Sequence, residues 1–168
     1  MASDALTTLA VLVGGRLKAA GELLVTAESC TGGWVAQSVT AIAGSSEWFE
    51  RGFVSYSNAS KEELLGVRRE TLERHGAVSE ETAREMALGA LAASRGTLAL
   101  AITGVAGPSG GTPAKPVGMV CFAWASKDGT ARSETRQFAG DREQVRRQSV
   151  TRALQGVVEW LDGHAPRV

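Results

Sequence analysis

Leu6, Leu9, Val13, Leu17 and Ala20 recur at helical spacing, and the run "GELLVTAES" (21–29) that follows is short, apolar and opened by Gly. This pattern predicts a helix and then a strand. Trp34, Val35, Val39, Ala41 and Ile42 return to a roughly helical period until "AGSS" breaks it, so "TAESCTGG" (26–33) is a strand-to-helix turn. "RGFVSYSNAS" (51–60) predicts a second strand ending at Asn58, and "KEELLGV" a short helix capped by Asn58 or Ser60. Ser79 opens "SEETAREMALGALAASRG", a helix with two Glu in its first turn and a buried face of Ala83, Met86, Ala87, Ala90 and Leu91. "TLALAIT" predicts a strand, and "GVAGPSGGTPAKPVG" behind it is too rich in Gly and Pro for either regular element, which implies a long ordered loop. "GMVCFAWAS" and "ARSETRQFA" flank "KDGT", whose Asp128-Gly129 pair marks a hairpin between antiparallel strands. A last helix starts at Asp141, with Gln144 completing a capping box and Val150, Ala153, Leu154, Val157 and Leu161 as its apolar stripe.

Alternating helices and strands followed by a late hairpin predict an α/β fold, a three-layer α/β/α sandwich with a mixed sheet. The length of 168 residues fits a single domain, 1–168, with no linker. If the early strands are parallel, the turns at Ser29, Tyr56 and Thr103 all leave carboxyl ends and can share one crevice, where open sheets collect ligands.

Composition narrows the function. No run approaches the ~18 apolar residues that span a bilayer, so no membrane partner is expected. Asp4 stands where a secretory signal carries positive charge, and Arg16 and Lys18 lie on the wrong side of the apolar run, so a cytoplasmic protein is expected. Eighteen basic residues balance eighteen acidic ones, which removes the electrostatic footprint of a nucleic-acid binder. Cys30 and Cys121 are far apart, and His75 and His164 complete no ligand spacing, so neither metal nor disulfide is expected.

The Ser-Cys-Thr run at 29–31 admits two readings. Ser29 or Thr31 can cap the following helix, and the local pattern favours this. Alternatively, Ser29 is a nucleophile beside backbone donors at the helix start. The stretch around Ser29 lacks the two glycines of the G-x-S-x-G elbow, and no serine in the chain has a lysine three positions on. Cys30 is the rival nucleophile, but it needs a histidine base, and His75 in "LERHGAV" has no acidic partner suggested by the sequence. Tyr56 and Lys61 are spaced by five rather than the four of short-chain dehydrogenases, and no G-x-G-x-x-G accompanies them. Lys61 by itself reads as a solvated first-turn residue, although a cation there suits the helix dipole poorly. "TGVAGPSGGT" (103–112) places Gly104, Gly107, Gly110 and Gly111 beyond Thr103 as a possible anion-binding nest without a Walker ending. Arg142, in the "GDR" that opens the last helix, is the side chain best suited to assist with an anion.

Taken together, "AESCTGGWVAQSVT", "GFVSYSNASKEELLGV", "GAVSEETAREMA", "AITGVAGPSGGTPAKPVGMV" and "FAGDREQVR" closely resemble the CinA carboxy-terminal domain family, the nicotinamide-nucleotide amidohydrolases. The resemblance covers nearly the whole chain in order. It implies hydrolysis of nicotinamide mononucleotide to nicotinate mononucleotide and ammonia in pyridine nucleotide salvage, without cofactor or metal. By motif match Ser29 is the nucleophile, Lys61 its base and Tyr56 the hydroxyl that completes the proton network. The backbone N–H groups of Cys30, Thr31 or Gly32 are then candidates for the oxyanion hole, and the 103–112 loop with Arg142 for the phosphate. Lys61 must be buried for this role, since an unperturbed lysine titrates near pH ~10.4. The companion amino-terminal domain of longer CinA proteins has no counterpart in these motifs, so its pyrophosphatase activity is not expected. Homologous domains imply a homo-oligomer, with four Trp available for an interface. The alternatives are an amidohydrolase of another amide and a non-catalytic nucleotide-binding or interaction domain.

Overall fold

In the computed structural model, which describes residues 4–163, Asp4 caps α1 (Ala5–Ala20) by accepting from the Leu6 N–H. There follow β1 (Leu24–Glu28), α2 (Trp34–Thr40), a 3-10 turn (Ser45–Glu47), β2 (Phe49–Val54), α3 (Asn58–Leu65), α4 (Arg69–His75) and α5 (Glu80–Ala92). β3 (Leu98–Gly104), β4 (Met119–Ser126), β5 (Ala131–Gln137) and α6 (Arg142–Gly163) complete the order. Ser79 caps α5 as expected. Asp141 and Gln144 form the capping box of α6, each side chain accepting from the other's backbone N–H.

Three local expectations are corrected. β2 ends at Val54 rather than Asn58. The cap of α3 is Ser57, neither Asn58 nor Ser60, because Ser57 is the extended residue just before the first helical turn and its Oγ reaches the Ser60 N–H. α4 was not expected; it lies mostly on the surface, so its charged sequence carries almost no apolar period.

The sheet runs β2-β1-β3-β4-β5, with β1 parallel to both β2 and β3, and with β4 and β5 antiparallel. Its two faces differ in side-chain size. Leu98, Leu100 and Ile102 of β3 and Val120, Phe122 and Trp124 of β4 join the core beneath α1, α2 and α6. The alternate residues Ala99, Ala101, Cys121, Ala123 and Ala125 face α5, whose Ala83, Ala87 and Ala90 meet them. Small residues on both sides bring that helix close to the sheet. Trp48, Trp124 and Trp160 belong to the core, so three of the four Trp expected at an interface are already buried. No helix among the described residues is long and apolar enough to cross a membrane.

The crossovers place the crevice. The chain passes from β1 to β2 through α2 on one face, and from β2 to β3 through α3, α4 and α5 on the other. At the carboxyl ends of β1 and β2 it therefore departs to opposite faces, while the Gly-rich loop beyond β3 returns to antiparallel β4, leaving a gap among the three turns.

Candidate active site

Ser29 is the first residue beyond β1 and is 7% exposed; its N–H donates to Ile102 O at 3.0 Å, which extends the β1–β3 ladder into the turn. Neither Ser29 nor Thr31 caps α2, contrary to the local reading. Gly33 occupies the N-cap position at φ +102°, without a side chain to offer. The carboxylate of Glu28 reaches over the turn instead. It accepts from Thr31 Oγ1 at 2.7 Å, from the Val35 N–H at 2.9 Å and from the Ala36 N–H at 3.1 Å. A buried carboxylate is tolerated where it satisfies such orphan donors and complements the helix dipole.

The Ser29 hydroxyl is left for Lys61. Lys61 comes from the first turn of α3, is 1% exposed rather than solvated, and places Nζ 3.1 Å from Ser29 Oγ. The same nitrogen is 3.1 Å from Ser55 O and 3.3 Å from Tyr56 O. Burial pushes the Lys61 pKa below its ordinary value. Among the described residues no carboxylate pairs with it, and the neighbouring Cys30 offsets the effect of burial only in part.

Cys30 also turns into the cleft, but burial pushes its thiol up to about 12, so at neutral pH it holds its proton. His75 ends α4 as an exposed residue outside the cleft around Ser29. It does have an acidic neighbour, with Nδ1 3.8 Å from Glu81, which the sequence did not suggest. His164 lies outside the described residues. Among those described, no three His, Cys, Asp or Glu side chains are grouped as a metal site requires.

The cleft holds about 160 Å³ and brings together Ser29, Cys30, Tyr56, Lys61, Thr103, Gly104 and Arg142. Tyr56 is 64% exposed, and its phenol meets Arg142 Nη2 at 3.2 Å; only its backbone carbonyl touches Lys61. The Tyr56 hydroxyl thus stands at the mouth rather than in the Ser29–Lys61 contact. Arg142 Nη1 donates to Gly107 O at 2.7 Å, tying α6 to the Gly-rich loop. Thr103 Oγ1 donates to Ala77 O at 2.8 Å. Gly110 and Gly111 do not line the cleft: they are exposed, and a Cβ at Gly111 would come within 2.8 Å of Val117 N, so that glycine lets the loop fold on itself. Gly107 does not line the cleft either, being buried with its carbonyl held by Arg142, so of the four glycines Gly104 alone remains there. The Gly32 N–H is committed to Ser29 O at 3.1 Å, which leaves Cys30 and Thr31 as the backbone donors with no carbonyl acceptor among the described residues.

Asn58, Ala77, Val78 and Ala106 also line the cleft and were not anticipated. Glu28 carried a signal, a lone charge inside an apolar run, and so did Arg146, which lies one helical turn beyond Arg142. The apolar lining residues carried none.

Residues 6–161 match the family model of the CinA C-terminal domain. The nicotinamide-nucleotide amidohydrolase PncC of Escherichia coli is 55% identical over 155 residues, which cover 92% of this chain and 94% of that protein. The protein of the same name from Pseudomonas putida is 52% identical over 157 residues, covering 93% and 97%. The crystal structure of a competence/damage inducible protein from Agrobacterium tumefaciens superposes with a TM-score of 0.91 at 40% identity, over 96% of this chain and 98% of that one.

Proposed function

Because the chain belongs to the CinA C-terminal domain family, we propose that it hydrolyses the carboxamide of nicotinamide mononucleotide, with Ser29 as nucleophile and Lys61 as base. The products are nicotinate mononucleotide and ammonia, a step of pyridine nucleotide salvage. The observation that carries this reading is the 3.1 Å contact between Ser29 Oγ and the buried Nζ of Lys61.

A neutral amine has two N–H donors and one lone pair. Ser55 O and Tyr56 O can only accept, so they take the two donors. The lone pair then faces the third neighbour, Ser29 Oγ–H, which donates to it. That is the arrangement in which a base removes the serine proton. Oγ attacks the carboxamide carbon as its proton passes to Nζ, and the carbonyl oxygen takes the negative charge of the tetrahedral intermediate. The C–N bond breaks as Nζ–H protonates the nitrogen, releasing ammonia and leaving an acyl-enzyme on Ser29. Water gives a proton to Nζ and its oxygen to the acyl carbon, and Oγ recovers the proton as the acid departs. The Thr31 and Cys30 N–H groups are the donors available to the oxyanion.

Size supports placing the phosphate outside the cleft. Pockets that enclose a whole small ligand span ~300–1,000 Å³. About 160 Å³ suits the pyridine ring and its amide, with ribose and phosphate emerging past Tyr56 and Arg142. The test is direct: purified protein, nicotinamide mononucleotide and a chelator, followed by ammonia release and by separation of the acid product, beside Ser29→Ala. Ammonia from the wild-type protein alone is expected. No ammonia from either would overturn the activity, and ammonia from both would overturn the nucleophile.

A further inference from the structure

The turn that carries Ser29 is gripped from outside the cleft. Arg146 of α6 donates from Nε to Cys30 O at 3.0 Å and from Nη2 to Thr31 O at 3.1 Å. Its guanidinium lies 5.4 Å from the centroid of the Trp34 ring, which fixes the plane of the fork, and it does not line the cleft. Two consecutive carbonyls of the nucleophile turn are thus held by one side chain.

A trans peptide points its C=O and N–H in opposite directions, and Gly107-Pro108 is the cis bond among the described residues. With the Cys30 carbonyl held on Arg146, the Thr31 N–H of the same peptide must face away from Arg146. With the Thr31 carbonyl held there too, the Gly32 N–H must face away as well. The Gly32 N–H does so, closing on Ser29 O at 3.1 Å. That bond marks the direction as the Ser29 side of the turn. The Thr31 N–H shares it and has no carbonyl acceptor among the described residues. A cation on the Cys30 carbonyl also polarises that peptide and strengthens its N–H as a donor.

We infer that Arg146 is a positioning residue: it aims the Thr31 N–H at the carboxamide oxygen where charge develops during attack by Ser29. This rests on the reading of Ser29 as nucleophile. Arginine suits the task because its planar fork reaches two carbonyls at once, whereas a lysine reaches one.

The test compares kcat, KM and the pH profile of kcat/KM for the wild type, Arg146→Met, Arg146→Lys and Ser29→Ala, with thermal unfolding of each. Arg146→Met should lower kcat on the order of 100-fold, the loss that accompanies removal of one oxyanion donor, with KM within about twofold of wild type. Arg146→Lys should lose roughly tenfold, and it decides the matter if Arg146→Met does not fold. Free guanidinium ion, well below unfolding concentrations, should restore part of the lost kcat to Arg146→Met. The pH of half-maximal kcat/KM, set by Lys61, should not move. Unchanged kcat in both Arg146 variants, or a raised KM at constant kcat, or a shifted pH midpoint, would each overturn the positioning role while leaving Ser29 in place. Activity in Ser29→Ala would instead overturn the underlying reading, and that arm is read independently of Arg146.

Discussion

The hydroxyl of Ser29 has no part in holding α2, since Glu28 takes the Val35 and Ala36 N–H groups and Lys61 is the hydroxyl's partner. Ser29→Ala should therefore abolish ammonia release while lowering stability by no more than about 1.5 kcal/mol, checked by chemical denaturation. Cys30 is different: its thiol keeps its proton at neutral pH, so Cys30→Ala should retain most of kcat, and an inactive but folded Cys30→Ala would remove the serine mechanism. Lys61→Arg should be as inactive as Lys61→Ala, because a guanidinium keeps its proton across the working range. The pH dependence follows from the direction of the Lys61 shift. Burial lowers its folded pKa, so the base form gains population as pH rises through that depressed value, and activity should rise with it below the ordinary ~10.4. Between the folded and unfolded pKa values the unfolded chain binds more protons, so stability also climbs with pH across that window. Lys61→Met should lose this component, and unfolding midpoints at two pH values would show it. A wild-type rate that stays flat with pH would refute a titrating base.

At the scale of elements, the site depends on two helices being held against the sheet ends. Glu28 fixes the start of α2 relative to β1, and it is 1% exposed. Glu28→Gln keeps the shape but presents an NH₂ where an acceptor is needed, leaving a backbone donor of α2 unsatisfied; a loss of about 1–3 kcal/mol is expected by urea denaturation. α3, which carries Lys61, packs its carboxyl end on α5. There a Cβ at Gly89 would lie 1.7 Å from Leu65 O, a backbone atom that cannot swing aside. Gly89→Ala should push α3 outward, costing about 1–3 kcal/mol or more and lowering kcat through a longer Ser29–Lys61 contact. Normal activity together with normal stability in that variant would mean that α3 tolerates the shift.

For the whole molecule, the limiting fact is a cleft too small for a mononucleotide, with Arg142 at its mouth joining the Gly107 carbonyl to the Tyr56 phenol. Nicotinamide riboside should accordingly be a far poorer substrate than the mononucleotide, and free phosphate should compete with the latter. Arg142→Ala should raise KM for the mononucleotide more than for the riboside, measured by ammonia release; equal effects on both would take the phosphate away from Arg142. The sequence alone determined much of this protein. Period-2 and period-3.6 patterns specify the elements other than α4 and the covering of both faces of the sheet, because burial on a strand or helix repeats locally. The Asp141/Gln144 box and the Ser79 cap were legible for the same reason, since each bonds within three residues. Cap assignment failed at α2, where the capping group comes from seven and eight residues away, as Glu28 does for Val35 and Ala36, and slipped at α3, where Ser57, Asn58 and Ser60 all offer capping side chains within four residues. The family motifs directed attention to Ser29 and Lys61, but their spacing of 32 residues carries no local signal. Only the parallel pairing of β1 with β2 and β3, which stacks three strand ends side by side, closes that separation to 3.1 Å. Tertiary structure likewise decided that Lys61 is buried, that Tyr56 faces Arg142 and that Gly110 and Gly111 turn away, since proximity and desolvation belong to the packed chain and not to its order of residues.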